Sequence, residues 1–213
     1  MSMTGYLGRV RLVFEASPTK EVRPRNVKAT KELLLKAAAE EFAEHGLAGA
    51  RIDRIAERAG ANKRLLYVYF GNKEQLFDAV VDRYVNELND AVPMDPRDLG
   101  AYAGAVFDHL LQNPQAMRLV AWRDFERGFP TKAEETAYAK KLAAIRAAQR
   151  AGKLYEGMSA IDMLAITQRM ITSWLGATVG LKAAAGKDPM SARRLKQHRQ
   201  ALVDAVRRIT EPH

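Results

Sequence analysis

Residues 46–77, Gly46-Leu-Ala-Gly-Ala-Arg-Ile-Asp-Arg-Ile-Ala-Glu-Arg-Ala-Gly-Ala-Asn-Lys-Arg-Leu-Leu-Tyr-Val-Tyr-Phe-Gly-Asn-Lys-Glu-Gln-Leu-Phe77, decide how this chain reads. Ile52, Ile55, Ala56 and Ala59 recur at three- and four-residue steps, so they share one face of a helix over about 52–59. Gly60 supplies a tight turn. Asn62 stands where an N-cap belongs, and a second short helix follows over about 63–70. Gly71 interrupts it. Asn72, with Gln75 three residues on, reads as a capping box that opens another helix. Two short helices joined by a glycine turn make the pattern of a helix-turn-helix, whose second helix offers its N-terminal end to a DNA major groove.

The same periodicity extends outward. Leu33, Leu34, Ala37, Ala38 and Phe42 form the buried stripe of a helix from about Lys28 to His45, which Gly46 should end. Leu76, Phe77, Val80, Val81 and Tyr84 carry a helix to about Val92, and Pro93 and Pro96 then break the chain. Helical patterns follow at about 96–112, 114–127, 131–151, 159–185 and 191–210, punctuated by Pro114, Gly128-Phe129-Pro130, Gly152 and Gly186-Lys187-Asp188-Pro189. No strand alternation and no internal repeat occurs. The expected fold is all-α, with about nine helices: an N-terminal three-helix, helix-turn-helix DNA-binding head and a C-terminal helical body. The expected division is a basic arm over 1–27, the head over 28–75 and the body over 76–213. The arm holds Pro18, Pro24 and five basic residues (Arg9, Arg11, Lys20, Arg23, Arg25). It reads either as a source of phosphate or minor-groove contacts or as a disordered leader.

Composition narrows the class. Of 213 residues 47% are hydrophobic and 28% charged, an ordinary globular balance. The absence of cysteine excludes disulfides, thiolate metal sites and cysteine nucleophiles, and is compatible with the cytoplasm, the expected location. No apolar run reaches about 18 residues, so no membrane span is expected. Val10 to Phe14, interrupted by Arg11, is too short for a signal peptide. The net charge of +9 is uneven: residues 1–73 carry 14 basic and 8 acidic side chains, the remainder 20 and 17. A basic segment that coincides with a helix-turn-helix suits DNA, although charge alone would equally suit RNA or an anionic membrane.

Ile52-x-x-Ile55-Ala56-x-x-Ala59-Gly60, Lys63-x-x-Leu66-Tyr67-x-Tyr69-Phe70 and Asn72-Lys73-Glu74-x-Leu76-Phe77 resemble the DNA-binding head of the TetR family of bacterial repressors. With the preceding helix, the resemblance spans about 28–90. It implies a homodimer that places one recognition helix per protomer in a major groove of a DNA operator, and a small-molecule ligand in the body that weakens DNA affinity. The body resembles the family only in length, helix count and rough pattern, so no ligand identity transfers.

Lys63 and Arg64 open the recognition helix, and Arg or Lys can bond guanine O6 and N7. Arg64 replaces a common glycine of the family and Leu65 a common threonine, which makes Arg64 the first candidate for base readout; a phosphate contact is the competing role. Asn62 joins the candidates as cap. Tyr67 and Tyr69 match the family's aromatic pair, as phosphate donors or as packing groups. They lie two residues apart and so face different sides of the helix. Lys73 is unfavourable for its own helix at that N-terminus, which favours a phosphate role. Arg51 stands where the family has a capping Ser or Thr. The lost cap should cost about 1 kcal/mol, with a phosphate contact as the conceivable gain.

In the body, Trp122, Phe125, Met170 and Trp174 are the candidate ligand-lining residues, with Arg123, Asp124, Gln168 and Arg169 supplying polarity; core packing competes for each apolar one. The helices over about 159–185 and 191–210 are the expected dimer face. The last repeats Leu195, Leu202 and Ile209 at seven-residue steps. No catalytic residue, cofactor or metal is expected. His45, His109, His198 and His213 show no ligand spacing, and no phosphate loop, dinucleotide motif or Gly-x-Ser-x-Gly occurs. Carboxylate pairs such as Glu40-Glu41 and Glu134-Glu135 read as solvated helix faces. A helical carrier or enzyme, or a basic protein binding nucleic acid or membrane without sequence preference, is the alternative function.

Overall fold

The computed structural model describes residues 24–212, and most of the arm expected over 1–27 lies outside the described residues. Ten helices follow in order: α1 (Pro24–Gly49), α2 (Ile52–Arg58), α3 (Lys63–Phe70), α4 (Lys73–Ala91), α5 (Leu99–Gln112), α6 (Pro114–Glu126), α7 (Lys132–Arg150), α8 (Ala160–Thr172), α9 (Val179–Ala184) and α10 (Ala192–Thr210). No strand occurs among the described residues.

One of the nine expected patterns divides in two, which gives the tenth helix. The stretch 159–185 is not one helix: α8 stops at Thr172, and α9 starts afresh at Val179. Two local bonds explain the break. Ser173 Oγ donates back to Met170 O (2.7 Å), and Thr178 caps α9 by accepting from Leu181 N–H (3.3 Å). Gly46 departs from expectation more subtly. Its φ of 66° kinks α1, and the chain then makes one further turn to Gly49. Glycine alone enters this left-handed region without penalty.

Two apolar clusters form. In the first, Leu34 and Phe42 of α1 meet Ile55 of α2, Leu66 of α3 and Leu76 and Phe77 of α4. Phe42 and Phe77 stack edge to face with centroids 5.0 Å apart. In the second, Phe107 of α5, Ile145 of α7, Met163 of α8 and Val206 of α10 are wholly buried. The clusters touch rather than stand apart. Tyr84 of α4 borders both, while Leu119 and Trp122 of α6 pack into the first. α4 and α6 therefore bind the two halves into one body.

Candidate functional site

The α2–α3 turn is fixed by backbone bonds and one cap. Gly60 N–H donates to Glu57 O and Ala61 N–H to Ala56 O, each at 3.0 Å, and Gly60 adopts φ 60°. Asn62 Oδ1 accepts from Arg64 N–H (2.8 Å), so Asn62 serves as the cap of α3. Leu66 is the one fully buried residue of α3. Everything else on the helix is partly or largely exposed. Lys63, Arg64, Tyr67 (48% exposed) and Val68 (66% exposed) are exposed together, at positions one helical turn apart. Arg64 makes no hydrogen bond or ion pair through its side chain among the described residues. Lys63 instead pairs with Asp53 of α2 (2.7 Å), whose bond and charge hold its ammonium above the usual range. Tyr69 turns away: its ring packs edge to face on Phe70 and carries Lys31 at 5.2 Å.

Val68 and Asp53 belong to this surface, and sequence reasoning did not single them out. Val68 reads as core by residue type. Its exposure signals itself only as the residue one turn beyond Arg64. A branched apolar side chain there can meet a thymine methyl.

Arg51 and Lys73 have roles in the fold. Arg51 gives α2 no side-chain cap, but its backbone N–H donates to Glu41 Oε1 (3.0 Å) from α1. Glu41 is not on a solvated face, as its sequence suggested. It is fully buried and also accepts from Arg54 Nε (2.7 Å). Burial opposes its charge, yet the bonds from Arg54 and Arg51 outweigh that and hold its carboxyl below the usual range. Lys73 Nζ donates to Ala48 O and Ala50 O (3.4 Å each), so it stitches α4 to the α1–α2 junction. Asn72 caps α4 by accepting from Gln75 N–H (2.7 Å).

α6 links this head to the body. Ala48 N–H donates to Glu126 Oε2 (2.9 Å). Trp122 packs so close to Gly46 that a β-carbon there would lie 2.8 Å from the indole. Arg127 grips Asp78 of α4 with Nε (3.1 Å) and Nη2 (2.5 Å).

A cavity of about 350 Å³ opens among α4, α5, α6, α7 and α8. Leu88, Tyr102, Val106 and Leu110 give it apolar walls, and Arg123, Asp124, Tyr138, Lys141, Gln168 and Arg169 give it polarity. Arg123 is buried; it donates to Glu134 Oε2 (2.8 Å), to Phe129 O (2.5 Å) and to Arg127 O. Gln168 donates to the Tyr138 hydroxyl (3.1 Å). Burial pushes the Tyr102 hydroxyl up to about 12 and the Lys141 amine down.

The four residues expected in the lining, Trp122, Phe125, Met170 and Trp174, are absent from it. Trp122 faces the head, Phe125 points to solvent at 87% exposure, and Met170 packs against the body's core. Trp174 is buried, donates to Pro189 O (3.0 Å) and carries Arg194 over its ring. The polar set did assemble: Arg123, Asp124, Gln168 and Arg169 all face the cavity. Periodicity shows that a helix has a buried side, not which of two clusters that side meets.

Glu41, Glu44 and His45 bring ligand atoms within 4.8 Å of one another. Arg54 lies 2.5 Å from Glu41, and Arg58 3.2 Å from Glu44, so guanidinium groups already supply the countercharge a metal would bring. No helix among the described residues is long and apolar enough to cross a membrane.

Comparison with known proteins agrees with this geometry. Residues 34–80 match the family described as bacterial regulatory proteins, tetR family, and residues 98–208 match the tetracyclin repressor-like C-terminal domain. The HTH-type transcriptional repressor SCO4008 of Streptomyces coelicolor is 42% identical over 144 residues, which is 66% of this chain and 75% of that protein. The HTH-type transcriptional repressor NicS of Pseudomonas putida is 31% identical over 117 residues, 50% of this chain and 54% of that one. The solved structure of SCO4942 from Streptomyces coelicolor superposes with a TM-score of 0.74 at 38% identity, covering 85% of this chain and 98% of that one. The chain belongs to the TetR family of bacterial regulatory proteins, and is a ligand-responsive, DNA-binding transcriptional regulator.

Proposed function

We propose that the protein is a repressor that binds a palindromic operator as a homodimer and is released by a small molecule. The observation that carries this reading is the exposed, capped face of α3, with the Arg64 side chain unpartnered among the described residues. Arg64 reads a base edge, with Asn62, Lys63 and Tyr67 beside it. Arg51, through its side chain, and Lys73, on release from Ala48 O and Ala50 O, complete the phosphate-facing rim, and Tyr69 packs behind it on Phe70. The head comprises about 28–75 and the body 76–213, with α4 shared by both. The dimer forms through the stretches 159–185 and 191–210, which hold α8, α9 and α10, and Ile161 and Ile166 of α8 are exposed. Two recognition helices then sit about 34–36 Å apart, one duplex turn or a multiple. The protein works in the cytoplasm and is not an enzyme.

The ligand occupies the cavity, and α6 carries its effect. Arg123 lines the cavity and its bonds hold the α6–α7 connection; Glu126 and Arg127, one turn on, grip the head. A ligand that draws Arg123 inward favours a head orientation with lower DNA affinity, and so shifts the population off DNA. Selection of duplexes from a random library tests the first part. The expected winner is a twofold-symmetric site; selection of no duplex refutes it. Compounds screened for release of that duplex test the second. Release should fail in Arg123→Leu if the cavity is the effector site.

A further inference from the structure

We infer that Glu41 is a positioning residue for DNA binding: its buried carboxylate fixes the start of α2 and thereby the angle at which α3 is presented. The inference rests on the DNA-binding reading of α3. A carboxylate out of water is unfavourable unless paired and hydrogen-bonded. Glu41 satisfies that condition only at the α1–α2 corner. Its Oε1 accepts from Arg51 N–H (3.0 Å) and from Arg54 Nε (2.7 Å). Arg54 Nη2, itself 2.5 Å from Glu41 Oε1, donates to Gly49 O (3.1 Å), the last residue of α1. One buried charge thus ties together the end of α1, the connecting residue and the first turn of α2. The second oxygen, Oε2, has no hydrogen bond among the described residues and lies 3.9 Å from both Arg58 Nη2 and His45 Nε2.

The clamp fixes the N-terminal end of α2, whereas buried Ile55 and the Arg58–Glu44 pair (3.2 Å) hold α2 to α1 farther along. α2 has seven residues and no side-chain cap. A helix that short does not hold itself together in water. α3 anchors a single fully buried residue, Leu66. The Gly60 turn and the Lys63–Asp53 pair join α3 to α2, so the two move as a unit. Whatever tilts α2 swings Arg64.

The test separates aim from stability. Replacing a buried ion pair by apolar side chains commonly preserves stability. The Glu41→Leu/Arg54→Leu double variant of the full-length protein is therefore compared with wild type by thermal melting. Both are also titrated with a duplex selected by the wild type and with its scrambled counterpart, over a range of salt. The expected result is an unchanged melt, an unchanged salt slope, and a preference for the selected duplex reduced about tenfold. A folded double variant that keeps its preference overturns the proposal. So does a double variant that fails to fold, since Glu41 would then be needed for folding alone. A salt slope shallower by about one phosphate contact also overturns it, by placing Arg54 on the DNA backbone. The single variants Glu41→Gln and Arg54→Gln add a further check: their losses of preference should not sum, and full additivity counts against the clamp. If the wild type itself selects no duplex, the DNA-binding reading fails rather than the role of Glu41.

Discussion

The head and the body both bury a charge, and they use it differently. In the head, Glu41 is wholly enclosed, and its bonded partners lie at one corner of the helix-turn-helix. The adjoining residue, Phe42, belongs to an edge-to-face aromatic pair in the core of the head. In the body, Arg123 stands in the wall of a cavity of about 350 Å³, bonded to the loop and helix that follow it. A close-packed core resists small displacement, whereas a cavity wall has space to move into. The contrast suits a part that must hold one shape on DNA and a part that must answer a ligand. α6 carries both characters, with Arg123 on the cavity and Trp122 and Glu126 on the head.

The contrast is broken most severely at Phe42. Phe42→Ala removes one ring of the Phe42–Phe77 pair from a site with no exposure. The expected cost is about 3–5 kcal/mol, borne by the head. Calorimetry should show the head melting early while the helices around Phe107 and Val206 persist. A single transition that shifts as a whole would mean that the two clusters are energetically one.

Gly46→Ala strikes the junction. The left-handed backbone costs a non-glycine residue about 1–2 kcal/mol. The new β-carbon would also lie 2.8 Å from the Trp122 ring and 2.6 Å from Glu126, so α6 must retreat. Overpacking adds about 1–3 kcal/mol. The expected signature is a lowered melting temperature together with a changed Trp122 fluorescence. An unchanged tryptophan signal would show that α6 does not rest on the kink.

The head was far more legible in sequence than the body, and the reason is range. Gly60, Asn62 and Asn72 act on neighbours within three or four residues, so their turn and caps could be read directly. Glu41 could not. Beside Glu40 it looks like a solvated pair, and its burial depends on Arg54, thirteen residues on, folding back to meet it. The α8–α9 break turned on Ser173 and Thr178, whose competing local bonds defeat an apolar pattern that continues across them. In the body, large side chains at helical spacing announced burial but not destination. Trp122 goes to the head and Trp174 to the core, while the cavity takes Tyr102 and Leu88 instead. The polar residues of the cavity were easier to identify, because a charged side chain beside an apolar stripe has few places to go.

Within the recognition surface, Arg64 and Lys73 separate base reading from backbone holding. Arg64→Ala should cost about 1–3 kcal/mol on the selected duplex and relax its preference at one base pair. Lys73→Ala should weaken binding to all duplexes and reduce the salt slope by about one. The Lys73 bonds to Ala48 O and Ala50 O compete with that role. A Lys73 variant that loses melting temperature but keeps its salt slope would assign the lysine to the fold. Equal losses on every sequence for both variants would erase the distinction.

The smallest expected effect compares one carboxylate in each half under acid. Asp98 caps α5 by accepting from Ala101 N–H (2.8 Å) and pairs with Arg207 of α10 (2.7 Å). The Arg207 bond holds its carboxyl below the usual range, against burial. A depressed carboxyl stabilises the fold above its unfolded value, near pH 4, and loses that contribution as pH falls through its folded value. The contribution of Asp98 should therefore hold from pH 7 to about 5 and fade below about 4, and Asp98→Asn should remove that part of the acid decline. Both partners are about 40% exposed, so the pair contributes at most about 1 kcal/mol. Glu41 carries a shift of the same sign, and its side chain has no exposed surface. Protonation should accordingly release the α1–α2 corner with a greater loss of stability than opening the α5–α10 contact. Amide exchange followed down the acid series should register the α2 amides opening at higher pH than those of α10. The reverse order would place the weaker seam in the body, and the rigid element of this regulator would then not be its head.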